Sequence, residues 1–231
     1  MQYSDIRKAK FIKRPNRFIA HVLIDGEREI VHVKNTGRCR EILKKGTTVI
    51  LEKAKNKNRK TKYSVIAAYK NDNLINIDSQ VPNQVVQEAL DKENIPESQF
   101  KNITHLKREV TYNNSRFDIY FKNKEKENFI EIKGVTLEKN NIAMFPDAPT
   151  TRGTKHVKEM IEAVEEGYGG FIFFLIQMEK ISSFTPYSEM DPEFDQAIKT
   201  AYEKGVNILA YNSYVKEDEI RLGKKIPMNI N

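Results

Sequence analysis

The sequence predicts an α/β (mixed) chain in two parts: an all-β N-terminal domain over residues 1–80 and a mixed domain over residues 81–231. Three observations predict this. Short β-forming runs separated by turn residues fill the first part. The apolar period changes near residue 80 from that of a strand to that of a helix. Beyond it, strands come first in succession and then alternate with helices.

In the first part, Phe18 opens an apolar run to Ile24 that ends in Asp25-Gly26, a hairpin signal. EREIVHVK is its partner, TTVILEK follows Gly46, a basic stretch leads to YSVIAAY, and Asn71-Asp72 turns into NLINI. Five short strands with basic connections suggest a small barrel. An OB-like barrel suits them best, because it couples five strands to an oligonucleotide-binding face; composition alone leaves an SH3-like barrel open. In the second part, Val85, Val86, Ala89 and Leu90 mark a helix face, with Asn83 as its expected N-cap. LKREVTYN, RFDIYFKN and NFIEIKGV are strands. The aperiodic stretch 134–153 is expected to be a functional loop. A helix over 151–166 carries Val157, Met160, Ile161 and Val164 on one face, with Gly167 at C′. GGFIFFLIQ is a central strand. Asp191 and Pro192 open a further helix, and VNILAYNSYV is the last strand expected. The predicted sheet is mixed, with helices on both faces.

Composition narrows the function. No apolar run reaches the length of a membrane span, and the first residues contain no apolar signal segment, so a cytoplasmic protein with no membrane association is expected. Oligomeric state is left open. The single cysteine, Cys39, forbids internal disulfides and multi-cysteine zinc sites and is expected to be a packing residue. Lys and Arg (39) exceed Asp and Glu (32), and the excess gathers in residues 1–62. That asymmetry fits a polyanionic partner held by the barrel. Arg17, Phe18, Asn35, Arg38 and Arg40 are the candidate contacts, although Phe18, opening an apolar strand, is expected in the core.

The chemistry centres on two strands. In NFIEIKGV, alternation puts Glu131 and Lys133 on one face. The preceding strand also carries one acid, Asp118. A four-residue turn at NKEK would set Lys122 opposite Glu127, an opposite-charge pair, and Asp118 opposite Glu131. A different loop register would make the acids diagonal. Two carboxylates so close either raise one pKa or admit a cation. Oxygen ligands with room for water favour Mg²⁺ or Mn²⁺. Such an ion would activate water for phosphodiester cleavage, with Lys133 stabilising developing charge. The competing reading is an ordinary Glu131–Lys133 surface pair.

R-F-D followed by I-E-I-K-G-V-T-L resembles the PD-(D/E)xK nuclease core, an αβββαβ restriction-endonuclease-like arrangement. The chain also resembles the sugar fermentation stimulation protein family through NTGRCREIL, NQVVQEAL, SRFD, IEIKGVTL, FPDAPTTRGTKH and GVNILAY, which span nearly its whole length. That resemblance implies an OB-like domain followed by a nuclease-like one, DNA binding rather than RNA binding, and a link to sugar (maltose) regulation. By position it assigns the motif's acids to Asp118 and Glu131 and its lysine to Lys133; Phe117 stands where the motif has proline. The extra glutamate that many such nucleases take from their first helix falls on Glu88, with Glu109 as a second candidate. In the segment before and within helix 151–166, Arg152 and Lys155 are expected to bind phosphate near the helix N-terminus. His156 is a candidate general acid–base and shares a helix side with Arg152 and Glu159. Asp147 is expected to cap the loop.

Two functions follow. One is a metal-dependent nuclease; the alternative is a non-catalytic DNA-binding regulator that keeps a nuclease fold. A sugar-processing enzyme is disfavoured, since no glycosidase-like carboxylate pair lies on loops.

Overall fold

A computed structural model of the chain describes every residue except Thr36, Lys57, Glu125 and Asn231. The predicted turn NKEK includes Glu125, the motif NTGRCREIL includes Thr36 and the basic loop includes Lys57, so those single positions lie outside the described residues.

The N-terminal domain contains β1 (Ile6–Lys13), β2 (Ile19–Ile24), β3 (Glu27–Val33), β4 (Thr48–Lys53), β5 (Tyr63–Lys70) and β6 (Asn73–Asn76). The first five close on themselves in the order β3-β2-β1-β4-β5, with β3 returning to pair with β5. This is the five-stranded OB barrel. Its first strand differs from the expectation, which began at Phe18. The lysine-rich IRKAKFIK alternates, with Ala9 and Phe11 buried and Lys8 and Lys10 in solvent. NLIN is therefore not a barrel stave. It pairs with β5 and its Asn76 N–H donates to the Gln177 carbonyl across the domain boundary. The Asp25-Gly26 turn is as read, with both residues left-handed (φ 52° and 87°).

The C-terminal domain follows as α1 (Pro82–Asp91), β7 (His105–Tyr112), β8 (Ser115–Lys122), β9 (Glu127–Val135), β10 (Leu137–Lys139), β11 (Ile142–Phe145), α2 (Thr151–Glu165), β12 (Gly169–Ile176), β13 (Ser183–Pro186), α3 (Pro192–Glu203), β14 (Asn207–Val215) and β15 (Ile220–Lys225). Its main sheet has the order β15-β14-β12-β9-β8-β7, parallel where β9, β12 and β14 meet and antiparallel outside. β12 is central and all eight of its residues are buried. Val157 and Met160 of α2 and Phe194 and Ile198 of α3 cover one face with Phe129 and Phe174. Val85, Val86 and Leu90 of α1 cover the other, together with Ile50 and Ile66 of the barrel and Ile130 and Phe171 of the sheet. The barrel is thus seated on the core through apolar contact.

Caps explain the helix bounds. Asp191 accepts from Phe194 N–H at 3.0 Å, as predicted. Thr150 accepts from Gly153 N–H and starts α2. Gly167 and Gly205 (φ 104° and 86°) end α2 and α3 in Schellman turns: Tyr168 N–H donates to the Ala163 carbonyl, and Val206 N–H to that of Ala201. Two further expectations of the C-terminal domain's strands fail. The stretch expected as a bare loop holds the β10–β11 hairpin, turned by Asn140-Asn141 with both residues left-handed (φ 55° and 63°). β14 is not the last strand, because Ile220–Lys225 pairs back along it.

Candidate active site

The β8–β9 register is the one read from charge. Lys122 lies opposite Glu127 with an ion pair of 3.2 Å, and the ladder runs back to Ile119 opposite Ile130. Past that point the two strands part. Asp118 Oδ2 accepts the Ile132 N–H at 2.7 Å, taking the place of a β8 carbonyl. On the other side of β8, Glu109 takes a left-handed φ of 55° between the Arg108–Ile119 and Val110–Phe117 pairs. The faces exchange across this point. Phe117 and Val110 pack with the α2 cluster, whereas Ile119, Phe121 and Leu106 pack with the α1 cluster. Plain strand alternation predicts neither the exchange nor the consequence that Asp118 reaches toward α1 while Glu131 reaches toward α2. A left-handed glutamate inside a strand is costly, which marks this as a built feature.

Each acid is held from both sides. Asn83 Nδ2 donates to Asp118 Oδ1 at 2.7 Å. Asn83 is therefore not the expected N-cap: Pro82 occupies N1, Val81 is the cap residue, and the Asn83 amide is free to face the acid. Glu131 is 4% exposed. Its Oε1 accepts from Lys133 Nζ at 2.7 Å and meets His156 Nδ1 at 2.6 Å. Arg152 Nε donates to His156 Nε2 at 3.4 Å, so Nδ1 carries the proton and donates to Glu131. Arg152, His156, Glu131 and Lys133 form one chain of contacts from the exposed start of α2 to the buried acid.

The two carboxyls are tuned in opposite directions. Burial, then the charge of Glu131, pushes Asp118 up, against the Ile132 N–H, Asn83 and Lys133. Burial also pushes Glu131 up, but the His156 hydrogen bond and the Lys133 ammonium outweigh it and hold the carboxyl below its usual range. For Glu131 this adds stability above the ordinary carboxylate pKa, lost as pH falls through its folded value. For Asp118 the sign reverses: its contribution is complete below the unfolded value and is lost as pH rises through the raised one. Asp118→Asn is therefore expected to stabilise the fold near neutral pH by about 1 kcal/mol, the common size of a stabilising substitution. The Asn83 amide turns to present its carbonyl. Urea melts at pH 4 and pH 7 check this; the gain should shrink at the lower pH.

A cation fits the donor set. Glu131 Oε2 is buried without a hydrogen-bond partner, and Asp118 keeps lone pairs beyond its two bonds. Among the described residues no three His, Cys, Asp or Glu side chains group as a metal cage. The ion would then keep most of its water, as Mg²⁺ does.

The other predicted residues are placed as follows. Glu88 is not brought to the acids: it bonds the N-terminal ammonium at 2.7 Å and Gln84 at 3.0 Å. It lies five residues beyond Asn83, about 140° around the helix. Glu109 pairs with Arg116 at 3.5 Å in solvent. Glu159 is buried near Lys155 (3.7 Å), whose Nζ also donates to the Asn114 carbonyl. Cys39 is buried, which pushes its thiol up to about 12, as a packing residue requires. Phe18 is 55% exposed rather than in the core. Asn35 is buried and accepts from Gly37 N–H, so it shapes its loop.

Arg17, Arg38 and Arg40 line one cavity of the barrel. Arg14, which sequence reading did not single out, organises it by donating to the carbonyls of Arg17, Asn35, Gly37 and Arg38 at 2.6–2.8 Å. A Cβ at Gly37 would meet the Asp147 carboxylate, which would have to move aside.

Two family descriptions fit the chain, "SfsA N-terminal OB domain" over residues 12–77 and "Sugar fermentation stimulation protein RE domain" over residues 80–219. The chain belongs to the sugar fermentation stimulation protein family. A sugar fermentation stimulation protein homolog of Alkaliphilus oremlandii is 53% identical over 234 residues, 99% of each chain. One of Ruminiclostridium cellulolyticum is 50% identical over the whole of both. The solved structure of Pyrococcus furiosus SfsA in complex with Ca²⁺ superposes with a TM-score of 0.91 at 28% identity, covering 100% of this chain and 98% of that one. The sugar fermentation stimulation family is thus shown over the full chain, barrel and core together. Among the described residues no helix is long and apolar enough to cross a membrane.

Proposed function

We propose that this member of the family hydrolyses phosphodiester bonds in nucleic acid, DNA in preference to RNA, with Mg²⁺ or Mn²⁺ held by Asp118 and Glu131. The observation that carries the proposal is the state of Glu131: buried, with one oxygen engaged by two donors and the other without a partner, and close enough to Asp118 for its charge to act on that carboxyl. The bound ion would supply Lewis acidity and a water of lowered pKa. The chain's own residues do the rest. Asn83 and the Ile132 N–H fix Asp118; His156, steadied by Arg152, fixes the Glu131 rotamer. Lys133, 2.7 Å from Glu131, would share its ammonium with a phosphate oxygen as charge develops. Ca²⁺ bound to the Pyrococcus furiosus relative supports the reading, because Ca²⁺ and Mg²⁺ both select oxygen ligands.

The test is incubation with end-labelled single- and double-stranded DNA and RNA, with Mg²⁺, Mn²⁺ or EDTA. Cleavage that needs the ion and is lost in Glu131→Ala supports the proposal. Binding without cleavage under every ion would leave the non-catalytic regulator.

A further inference from the structure

We propose that the nucleic acid is single-stranded, and that one of its nucleotide units occupies a cationic cavity of the barrel from which the strand runs to β9. This deepens the nuclease reading by naming its substrate. The cavity measures about 460 Å³ and lies between the β1–β2 loop and residues 37–45. Its floor is apolar, Phe11 and Leu43, and Lys13, Arg17, Arg38, Arg40 and Lys45 reach it from the exposed side. Among the described residues none of these five, nor Arg14, is ion-paired to a carboxylate. The remaining Arg14 donor, Nε, is buried without an acceptor. Positive charge over an apolar floor, in a cavity that no carboxylate of the described residues lines, fits a phosphate with a base attached.

The cavity is not isolated. A second space of about 370 Å³ shares Arg17, Gly37 and Arg38 with it and follows the chain from Phe145 to Thr150. A third, of about 180 Å³, shares Gly37, Phe145 and Asp147 with the second and ends at Gly134, the neighbour of Lys133. The three neighbour one another in this order between barrel and core, through the lining residues they share. Among the described residues Asp147 is the only carboxylate lining them, so the far end attracts phosphate less than the barrel end does.

Two features select a single strand. A base can enter a concave pocket only when unstacked, and a duplex keeps its bases stacked. Phe18, next to Arg17 and 55% exposed, offers a face on which an unpaired base can stack.

The experiment is fluorescence anisotropy in EDTA with labelled oligomers of about 20 nucleotides: single-stranded DNA, single-stranded RNA and duplex DNA. Expected is binding of a single strand at least about tenfold tighter than duplex, the DNA and RNA arms identifying the sugar. The double variant Arg38→Glu/Arg40→Glu should weaken single-strand binding at least about tenfold and flatten the salt slope by about 1.4, two contacts at roughly 0.7 each. Phe18→Ala, on an exposed side chain that leaves the fold untouched, should weaken it at least about fivefold. Equal or tighter duplex binding overturns the inference, as does single-strand affinity unchanged by both variants in protein that melts like wild type. Because no ion is present, loss of the nuclease reading would appear separately, as single-strand binding without cleavage.

Discussion

Glu131→Gln is expected to lower phosphodiester cleavage at least about 100-fold while leaving the chain folded. Glutamine keeps the shape, and its carbonyl can still accept from His156 Nδ1. Two things are lost together. The oxygen that has no partner, Oε2, becomes an amide that cannot ligate a cation, and the Lys133 ammonium loses its carboxylate at 2.7 Å. Removing a single preorganised electrostatic group commonly costs 10²–10³ in rate, and here one substitution disturbs the ion and the lysine at once. Initial rates with Mn²⁺, compared with a circular dichroism spectrum of the same sample, check it. A variant that cleaves within tenfold of wild type would remove Glu131 from the chemistry.

The second large effect is on stability. Lys34 follows β3 and its Nζ lies 2.6 Å from Asp78 and 3.6 Å from Glu52. Asp78 is 1% exposed and sits in a buried network: the Asp78 N–H donates to Asn76, and Gln177 Nε2 donates to Asn76 and to the Asp78 carbonyl. Lys34→Met strips the cation from two carboxylates at the junction of barrel and core. Breaking such a pair costs roughly 3–5 kcal/mol, because the surviving charge stays buried. At about 2–4 °C per kcal/mol for this size, Tm should fall by at least roughly 6 °C. Adding Asp78→Asn should recover part of it, and a thermal melt of the double-mutant cycle measures how much. The cationic cavity should feel the same change, since Ser79 Oγ donates to the Lys34 carbonyl just before the Arg38 loop.

The β8–β9 register was legible as far as Ile119 and Ile130, because one charge pair, Lys122 and Glu127, sets the hairpin; the expected pairing of Asp118 opposite Glu131 lies beyond the point where the strands part. The face exchange at Glu109 and Asp118 was not, since period-two alternation assumes an unbroken ladder and a left-handed glutamate leaves no mark in composition. β1 escaped notice for a different reason: its outward lysines give a charge run, and only Ala9 and Phe11 show the alternation. Helix caps misled at Asn83, where Pro82 had already supplied the start of α1. Glu88 suited its helix but not its side of it. Arg14 and Gln177 work by tying segments distant in sequence, Gln177 to Asn76 and Arg14 to Gly37, so no local pattern could reveal them. His156 and Arg152 were visible from helical spacing within the motif FPDAPTTRGTKH, although the contact with Glu131 was not.

The central claim is that Asp118 and Glu131 together hold one divalent ion. Titration of the metal-free protein with Mn²⁺, followed by isothermal calorimetry and by loss of the free-ion electron paramagnetic resonance signal, tests it without any substrate. One ion bound by wild type, with binding lost in both Asp118→Asn and Glu131→Gln, is the predicted result. Binding that is unchanged in either variant would contradict it.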